Sequence, residues 1–146
     1  MFSLSVSYIL GTLLCRRLLL HWGPLKTIRA GSWMSLTGGT LMFALNRWEY
    51  SSVFSLLLPF FLIMVAHGIH QPISQSGAVA PFPMAAGAAS ALSGFLMMLV
   101  AFAIGRWMGT HLDGSVFPLI GGELFWSLWI AIAGLVVVQR QAQRHD

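Results

Sequence analysis

The chain has 146 residues, of which 57% are hydrophobic and only 8% are charged, and its mean hydropathy is +0.78. A soluble domain carries about 25% charged residues, so this composition excludes an ordinary water-soluble fold. The formal charge of +4 comes from basic residues scattered between apolar runs, which argues against a nucleic-acid partner.

Five apolar stretches follow one another along the chain. A helix that crosses a bilayer needs about 20 mostly apolar residues. Breaks at charged residues, Pro and Gly give predicted spans at 2–20, 28–45, 53–76, 85–105 and 116–138. The sequence therefore predicts an all-α membrane protein, one domain of about five transmembrane helices whose short connections make neighbouring helices antiparallel.

The first span begins at the N-terminus and leads into paired arginines. A secretory signal has its basic residues before the apolar run, so this order favours a span. The single cysteine, Cys15, excludes an internal disulfide and is typical of a small apolar residue. Residues 11–32 read GTLLCRRLLLHWGPLKTIRAGS, in which Gly11 and Gly23 enclose Arg16 and Arg17. Glycines permit tight turns, and arginines bridge carbonyls or carboxylates at helix ends.

Small residues recur at every fourth position in two of the spans. In membranes such stripes let helices approach closely, either as a sliding interface or as static packing. Both interpretations predict close helical partners for the second and fourth spans. The stripes are Gly31, Ser35 and Gly39 in the second span and Ala86, Ser90 and Gly94 in the fourth.

The third span carries a group of polar side chains. Their spacings of three, four and seven residues place them broadly on one helical face, which is costly to expose to lipid. This face is expected to line a central cavity or to be buried by packing. The two histidines lack the acidic base and the spacing of a zinc helix, so no metal is predicted. The residues are His67, His70, Gln71 and Ser74.

A proline within this span precedes a second distinctive segment. Residues 68–95 read GIHQPISQSGAVAPFPMAAGAASALSGF, with a polar stretch, a PFP turn and a helix of small residues. Pro72 removes a backbone donor and is expected to kink the third helix.

The last span contains Glu123, the only carboxylate within a predicted span. It lies about 10 Å from the outer end of the helix at 1.5 Å per residue. It is expected either to bind protons or a cationic compound, or to pair with Arg106. Trp126 and Trp129 lie on the same side, where they would pack on an aromatic substrate or anchor the helix at the interface.

The basic residues also predict the orientation. With five alternating spans, Arg47 and Arg106 fall on one side of the membrane and all the others on the opposite side. The positive-inside rule then places the C-terminus in the cytoplasm and the N-terminus outside. The residues on the cytoplasmic side are Arg16, Arg17, Lys26, Arg29, Arg140 and Arg144.

Two segments carry a resemblance to a known family. Residues 11–32 resemble the cytoplasmic loop between the eighth and ninth helices of the major facilitator superfamily. Residues 68–95 are similar to helices ten and eleven of its Bcr/CflA drug:proton antiporters, including the spacing from Gly68 to Pro81. The resemblance makes the five spans equivalent to helices eight to twelve, part of the C-terminal half. Cys15 departs from the family's acidic or amide residue before the arginines.

The resemblance implies a fragment of a proton-coupled multidrug efflux transporter in the bacterial inner membrane. Its partners would be the lipid bilayer, protons, a small drug-like substrate and the missing N-terminal helices, which hold the principal proton-binding carboxylate. Alone, the fragment is expected to be inactive. The alternative is a small accessory membrane protein that packs against a partner transporter. No enzyme motif is present and no cofactor is expected. The candidate cavity residues are His67, His70, Gln71, Ser74, Glu123 and Trp126.

Overall fold

The computed structural model describes residues 2–47, 52–111, 115–138 and 140, and these residues contain helices and turns but no strand. The helical segments are Phe2–Arg47, Val53–Val79, Ala86–His111 and Phe117–Ile132. A short 3₁₀ helix, Pro83–Ala85, precedes the third of them. A π-helical turn, Ala133–Val137, continues the last.

The segment Phe2–Arg47 contains a break at Gly23. This residue has φ 73° and ψ 175°, in a region that favours glycine, and Pro24 follows it. Thr27 Oγ1 donates a hydrogen bond of 2.7 Å to the Gly23 carbonyl and secures the start of the next helix. We therefore call residues 2–22 α1 and residues 24–47 α2. The connection expected between the predicted spans 2–20 and 28–45 is in fact one non-helical residue, because arginine and leucine favour helix up to the glycine.

Helix α1 runs parallel to Val53–Val79, which we call α3. Gly11 lies directly against the backbone of Val65, where a side chain would have no room. Farther along both helices, Cys15 Sγ lies 3.5 Å from the Ile69 carbonyl oxygen. Since the residue numbers rise together, α1 and α3 point the same way.

Helix α2 runs antiparallel to α3. Gly31 packs against Ile69 and His70, whereas Gly38 packs against Ile63 and the Pro59 carbonyl. The numbers therefore rise along α2 while they fall along α3. The chain must reverse direction at Gly23, so α1 and α2 form a helical hairpin with both arms against α3.

The helix Phe117–Ile132, which we call α5, packs on α2. A Cβ atom added at Gly39 would lie 2.5 Å from Ser127 Oγ, and Gly134 in the π-helical turn lies against Ser32. Small residues thus permit close approach of the backbones, as in other membrane bundles. The close partners predicted for the second-span stripe are confirmed at Gly31 and Gly39.

Helix Ala86–His111, which we call α4, is attached differently. None of its residues is buried against the described part of the chain. It meets α3 at two polar contacts, Ser93 Oγ to Gln75 Oε1 at 3.4 Å and Gln71 Nε2 to Met97 Sδ at 3.8 Å. Nothing lies within 4 Å of the Cβ position of Gly94. The close partner expected for the fourth-span stripe is therefore not among the described residues.

The end of the bundle where α2 meets α3 is held by a polar cluster. Asn46 Nδ2 donates to the Met42 carbonyl at 2.8 Å and to the Ser55 carbonyl at 3.2 Å. Ser55 Oγ donates in return to Asn46 Oδ1 at 3.1 Å. Beside this cluster, a small apolar core forms from Met42, Ile63 and Ile120. These contacts fix α2, α3 and α5 relative to one another.

Within the described residues, three helices are long and apolar enough to cross a membrane, namely Val53–Val79, Pro83–His111 and Phe117–Val136. Large hydrophobic side chains are exposed along all of them; Phe54 is 71% exposed, Phe102 68% and Trp129 53%. Water would penalise so much exposed apolar surface, whereas lipid does not. The chain is thus a membrane-embedded helical protein.

The basic residues cluster at one end of this bundle. Helices α1, α3 and α5 point the same way, so they end at the same side of the bundle. We call this side the basic end; it contains the Gly23 turn, the turn after Val79 and residue 140. Only Arg106, near the end of α4, lies toward the opposite end among the cations whose side chains are described. Arg144 lies outside the described residues. The basic end carries Arg16, Arg17, Lys26, Arg29 and Arg140.

Candidate functional site

The polar face of α3 opens into a pocket between α1 and α3. His67 and Gln71 are one helical turn apart and therefore project in the same direction. Across from them, Tyr8 of α1 places its ring centroid 5.8 Å from that of His67, at an interplanar angle of 45°. The pocket has a volume of about 500 Å³ and is open to the surroundings. Its lining is Ser5, Tyr8, Ile9, Met64, His67 and Gln71.

His70 does not line this pocket. Its ring packs against Gly31 of α2, with Nε2 3.1 Å from the Cβ position of that glycine. Nε2 is buried and has no hydrogen-bond partner among the described residues. Ser74, one turn farther along α3, is exposed and is also absent from the pocket lining. The four-residue face therefore divides into His67 and Gln71 on one side and His70 and Ser74 on the other.

A second pocket, of about 610 Å³, lies between α4 and α5. Its walls are mostly apolar and aromatic, and its one ionisable side chain is Glu123. Phe125 and Trp126 form an edge-to-face pair with centroids 5.3 Å apart on its α5 side. The full lining is Ala103, Ile104, Trp107, Met108, Leu119, Gly121, Gly122, Glu123, Phe125 and Trp126.

Glu123 is half-buried and forms no ion pair or hydrogen bond with any described residue. The pairing with Arg106 that the sequence left open is therefore not formed. A carboxylate in apolar surroundings is costly without a compensating charge. The pocket is consequently suited to a cation carried on an apolar or aromatic body. Trp126 belongs to this pocket, whereas Trp129 does not line it.

Four of the six predicted cavity residues thus lie in two separate pockets. His67 and Gln71 share one pocket, Glu123 and Trp126 share the other, and His70 and Ser74 line neither. Tyr8 and Ser5 are additional residues of the first pocket. A tyrosine and a serine spaced one helical turn apart were the only sequence signal for them, and this signal is common in apolar helices.

The glycines and arginines of the segment 11–32 also have roles that differ from those expected. Gly11 lies in the middle of α1 and serves close packing, not a turn. Gly23 makes the turn itself. Arg16 and Arg17 are exposed within the last two turns of α1, and His21 Nδ1 lies 2.9 Å from the Arg17 carbonyl oxygen.

The described residues include no group of three or more His, Cys, Asp or Glu side chains placed to hold a metal ion. Comparison of the chain with known protein families, with characterised proteins and with solved structures finds no match. The class that the described residues define is a membrane-embedded helical protein whose surface pockets are mostly apolar and contain a few polar side chains.

Proposed function

We propose that this chain is the C-terminal part of a proton-coupled multidrug efflux transporter, with α1 to α5 equivalent to helices eight to twelve of a Bcr/CflA antiporter. In this proposal α1 and α2 also cross the membrane, which gives five spans. The sequence resemblance of residues 11–32 and 68–95 supports the family. A membrane transporter binds its solute between bundles of helices that rock against each other.

The observation that carries the proposal is the exposure of α4 between two pockets. This long apolar helix has no buried residue, although it touches α3 on one side and α5 on the other. The pocket around His67 and that around Glu123 open beside these two contacts. Polar side chains at such openings mark solute or ion paths in membrane proteins. A further bundle packed on α4 would enclose both pockets, as the missing helices of a transporter would.

The first test concerns orientation. By the positive-inside rule, the cations at the basic end favour a cytoplasmic location for that end and for the C-terminus in a bacterial inner membrane. A reporter enzyme that works only in the cytoplasm, fused after Asp146, is expected to be active. A periplasmic reporter is expected to be active when it is inserted at 112–114. The reverse pattern would rule out the proposed orientation, and both reporters on the same side of the membrane would rule out a span between them.

The second test concerns transport. Expressed alone in a drug-sensitive bacterium, the chain is expected to give no proton-dependent efflux, because a single bundle does not form both walls of the path. Co-expression with a fragment that supplies seven antiporter helices is expected to restore measurable efflux, since separate helix bundles assemble in membranes. The seven-helix fragment alone is the matched control. Robust efflux by the 146-residue chain alone would contradict the proposal.

The second candidate function is a small accessory protein that packs against an intact transporter. The same exposed helix favours it, because the Ala86–Ser90–Gly94 stripe of α4 has no partner among the described residues. The two functions differ in what they require. An accessory protein would co-purify with a complete transporter and alter its rate, while failing to complement the seven-helix fragment.

A further inference from the structure

A groove of about 380 Å³ lies on α2 just after the Gly23 turn, at the basic end of the bundle. Its floor is formed by Ala30, and its sides by two tryptophans and two cations. Residues 26, 29, 30 and 33 are three or four positions apart and therefore share one helical face. Trp22, the last residue of α1, closes the groove from the other side of the turn. The lining is Trp22, Lys26, Arg29, Ala30 and Trp33.

The cations of this groove have no anionic partner in the described chain. The sequence contains four acidic residues, and only Glu123 falls within the described residues. Glu123 lies in the pocket between α4 and α5, away from the groove. Lys26 and Arg29 are both exposed, and neither forms an ion pair with a described side chain. The groove therefore presents two adjacent positive charges to its surroundings.

The order of residues along the groove matches the profile of a membrane surface. At 1.5 Å per residue, Lys26 lies about 5 Å and Arg29 about 9 Å beyond Gly23 along the helix, and Trp33 lies about 15 Å beyond it. The headgroup layer of a bilayer is roughly 5–8 Å thick on each side. With the Gly23 turn at the membrane surface, Lys26 falls among the headgroups and Arg29 at their inner boundary, whereas Trp33 lies deeper, beside the upper part of the acyl chains.

We propose that this groove binds one anionic phospholipid, with its phosphate between Lys26 and Arg29 and its glycerol and acyl chain against Trp33. Guanidinium groups bind phosphate oxygens in a bidentate manner, and the lysine adds a second charge. Basic pockets at the cytoplasmic side of membrane helices are suited to such headgroups. Trp22 covers the headgroup at the level where tryptophan rings prefer to lie. The site requires no transport activity, but it rests on the proposed membrane crossing of α2 with the basic end at the cytoplasmic surface.

The site is tested by native mass spectrometry of the 146-residue chain released from detergent micelles. The apparent affinity of the first bound lipid is compared for phosphatidylglycerol and phosphatidylcholine. We expect the anionic lipid to bind about tenfold more tightly, and Lys26→Gln and Arg29→Gln each to weaken it about fivefold. Phosphatidylcholine binding is expected to weaken less, because its choline cation offsets the charge of its phosphate. The matched control is Arg106→Gln, which removes a cation toward the opposite end of the bundle and should leave both affinities unchanged.

Several results would overturn the proposal. Equal binding of the two lipids, or equal weakening by Arg106→Gln, would mean that the groove has no special affinity. Displacement of phosphatidylglycerol by millimolar inorganic phosphate would make the groove a general anion site instead of a lipid site. Circular dichroism monitors the fold of each variant. If Arg29→Gln fails to fold, Arg29→Lys keeps the charge and is expected to retain binding, and a complete loss in that folded variant would contradict a role for charge.

Discussion

Replacement of Gly11 by leucine is expected to prevent α1 from packing on α3 and to destabilise the whole bundle. Gly11 lies directly against the carbonyl group of Val65. On the facing helix, a Cβ atom at Gly68 would lie 2.9 Å from the Gly11 Cα atom, so both helices use glycine at this crossing. The obstructing atoms are backbone, which does not rotate away as a flexible side chain would. Overpacking costs about 1–3 kcal/mol even where side chains adjust, so the loss at Gly11 should reach or exceed the top of that range.

Thermal unfolding followed by circular dichroism in detergent micelles measures this effect. Gly94→Leu is the matched control, because nothing lies within 4 Å of the Cβ position of Gly94 on α4. That variant makes the same chemical change in a helix of the same membrane bundle, and we expect it to alter stability by less than about 0.5 kcal/mol. Gly11→Ala should fall between the two. Equal unfolding midpoints for the two leucine variants would show that the α1–α3 crossing is not close-packed.

The helices could be predicted from the sequence because the residues that indicate each helix lie within it or at its ends. Runs of apolar residues, the Gly-Pro pair at 23–24 and the PFP turn at 81–83 each act on the backbone around them. The predicted span 85–105 and the observed helix Ala86–His111 begin within one residue of each other. The end of that helix differs by six residues, since Arg106 and Trp107 are compatible with both a helix and an interface.

The contacts of the side chains were harder to predict from the sequence, because they depend on which other helix each helical face packs against. His67 and His70 differ by about 300° around the same helix, which leaves them only about 60° apart. That small difference decides that His67 faces Tyr8 in an open pocket and that His70 faces Gly31 in a helix interface. No periodicity in α3 alone contains this information.

The small-residue stripes show the same limit. Both stripes have the same spacing, yet Gly31 and Gly39 are in close contact with α3 and α5, while Gly94 has open space around it. The spacing describes what a helix face permits and does not identify a partner. The exposure of α4 is therefore a property of the assembled bundle, and it is the feature on which the proposed transporter and the alternative accessory protein both depend.

Replacement of Glu123 by glutamine is expected to weaken binding of a lipophilic aromatic cation to the pocket between α4 and α5. The test ligand is tetraphenylphosphonium, whose charge lies within an apolar aromatic shell like the lining of this pocket. Two opposite unit charges about 5 Å apart attract each other by about 3 kcal/mol at an effective dielectric constant of about 20. Solvent screening at the half-buried Glu123 reduces this attraction, so we expect roughly a tenfold loss of affinity. Equilibrium dialysis with the full chain in micelles measures it. This prediction rests on the proposed transport function.

Two controls distinguish the effect of the ligand's charge from the effect of its shape. Tetraphenylborate has the same shape with the opposite charge, so it should bind the native pocket poorly and gain affinity in Glu123→Gln, because the repelling carboxylate is gone. Trp126→Ala should lower the affinity for the cation by roughly threefold or more, because it removes a ring that lines the pocket. Trp129→Ala should have little effect, since Trp129 does not line the pocket. Glu123→Gln could change the affinities for the cation and the anion equally, or Trp126→Ala and Trp129→Ala could change the affinity for the cation equally. Either result would mean that the ligands partition into the micelle and that the pocket does not select cations.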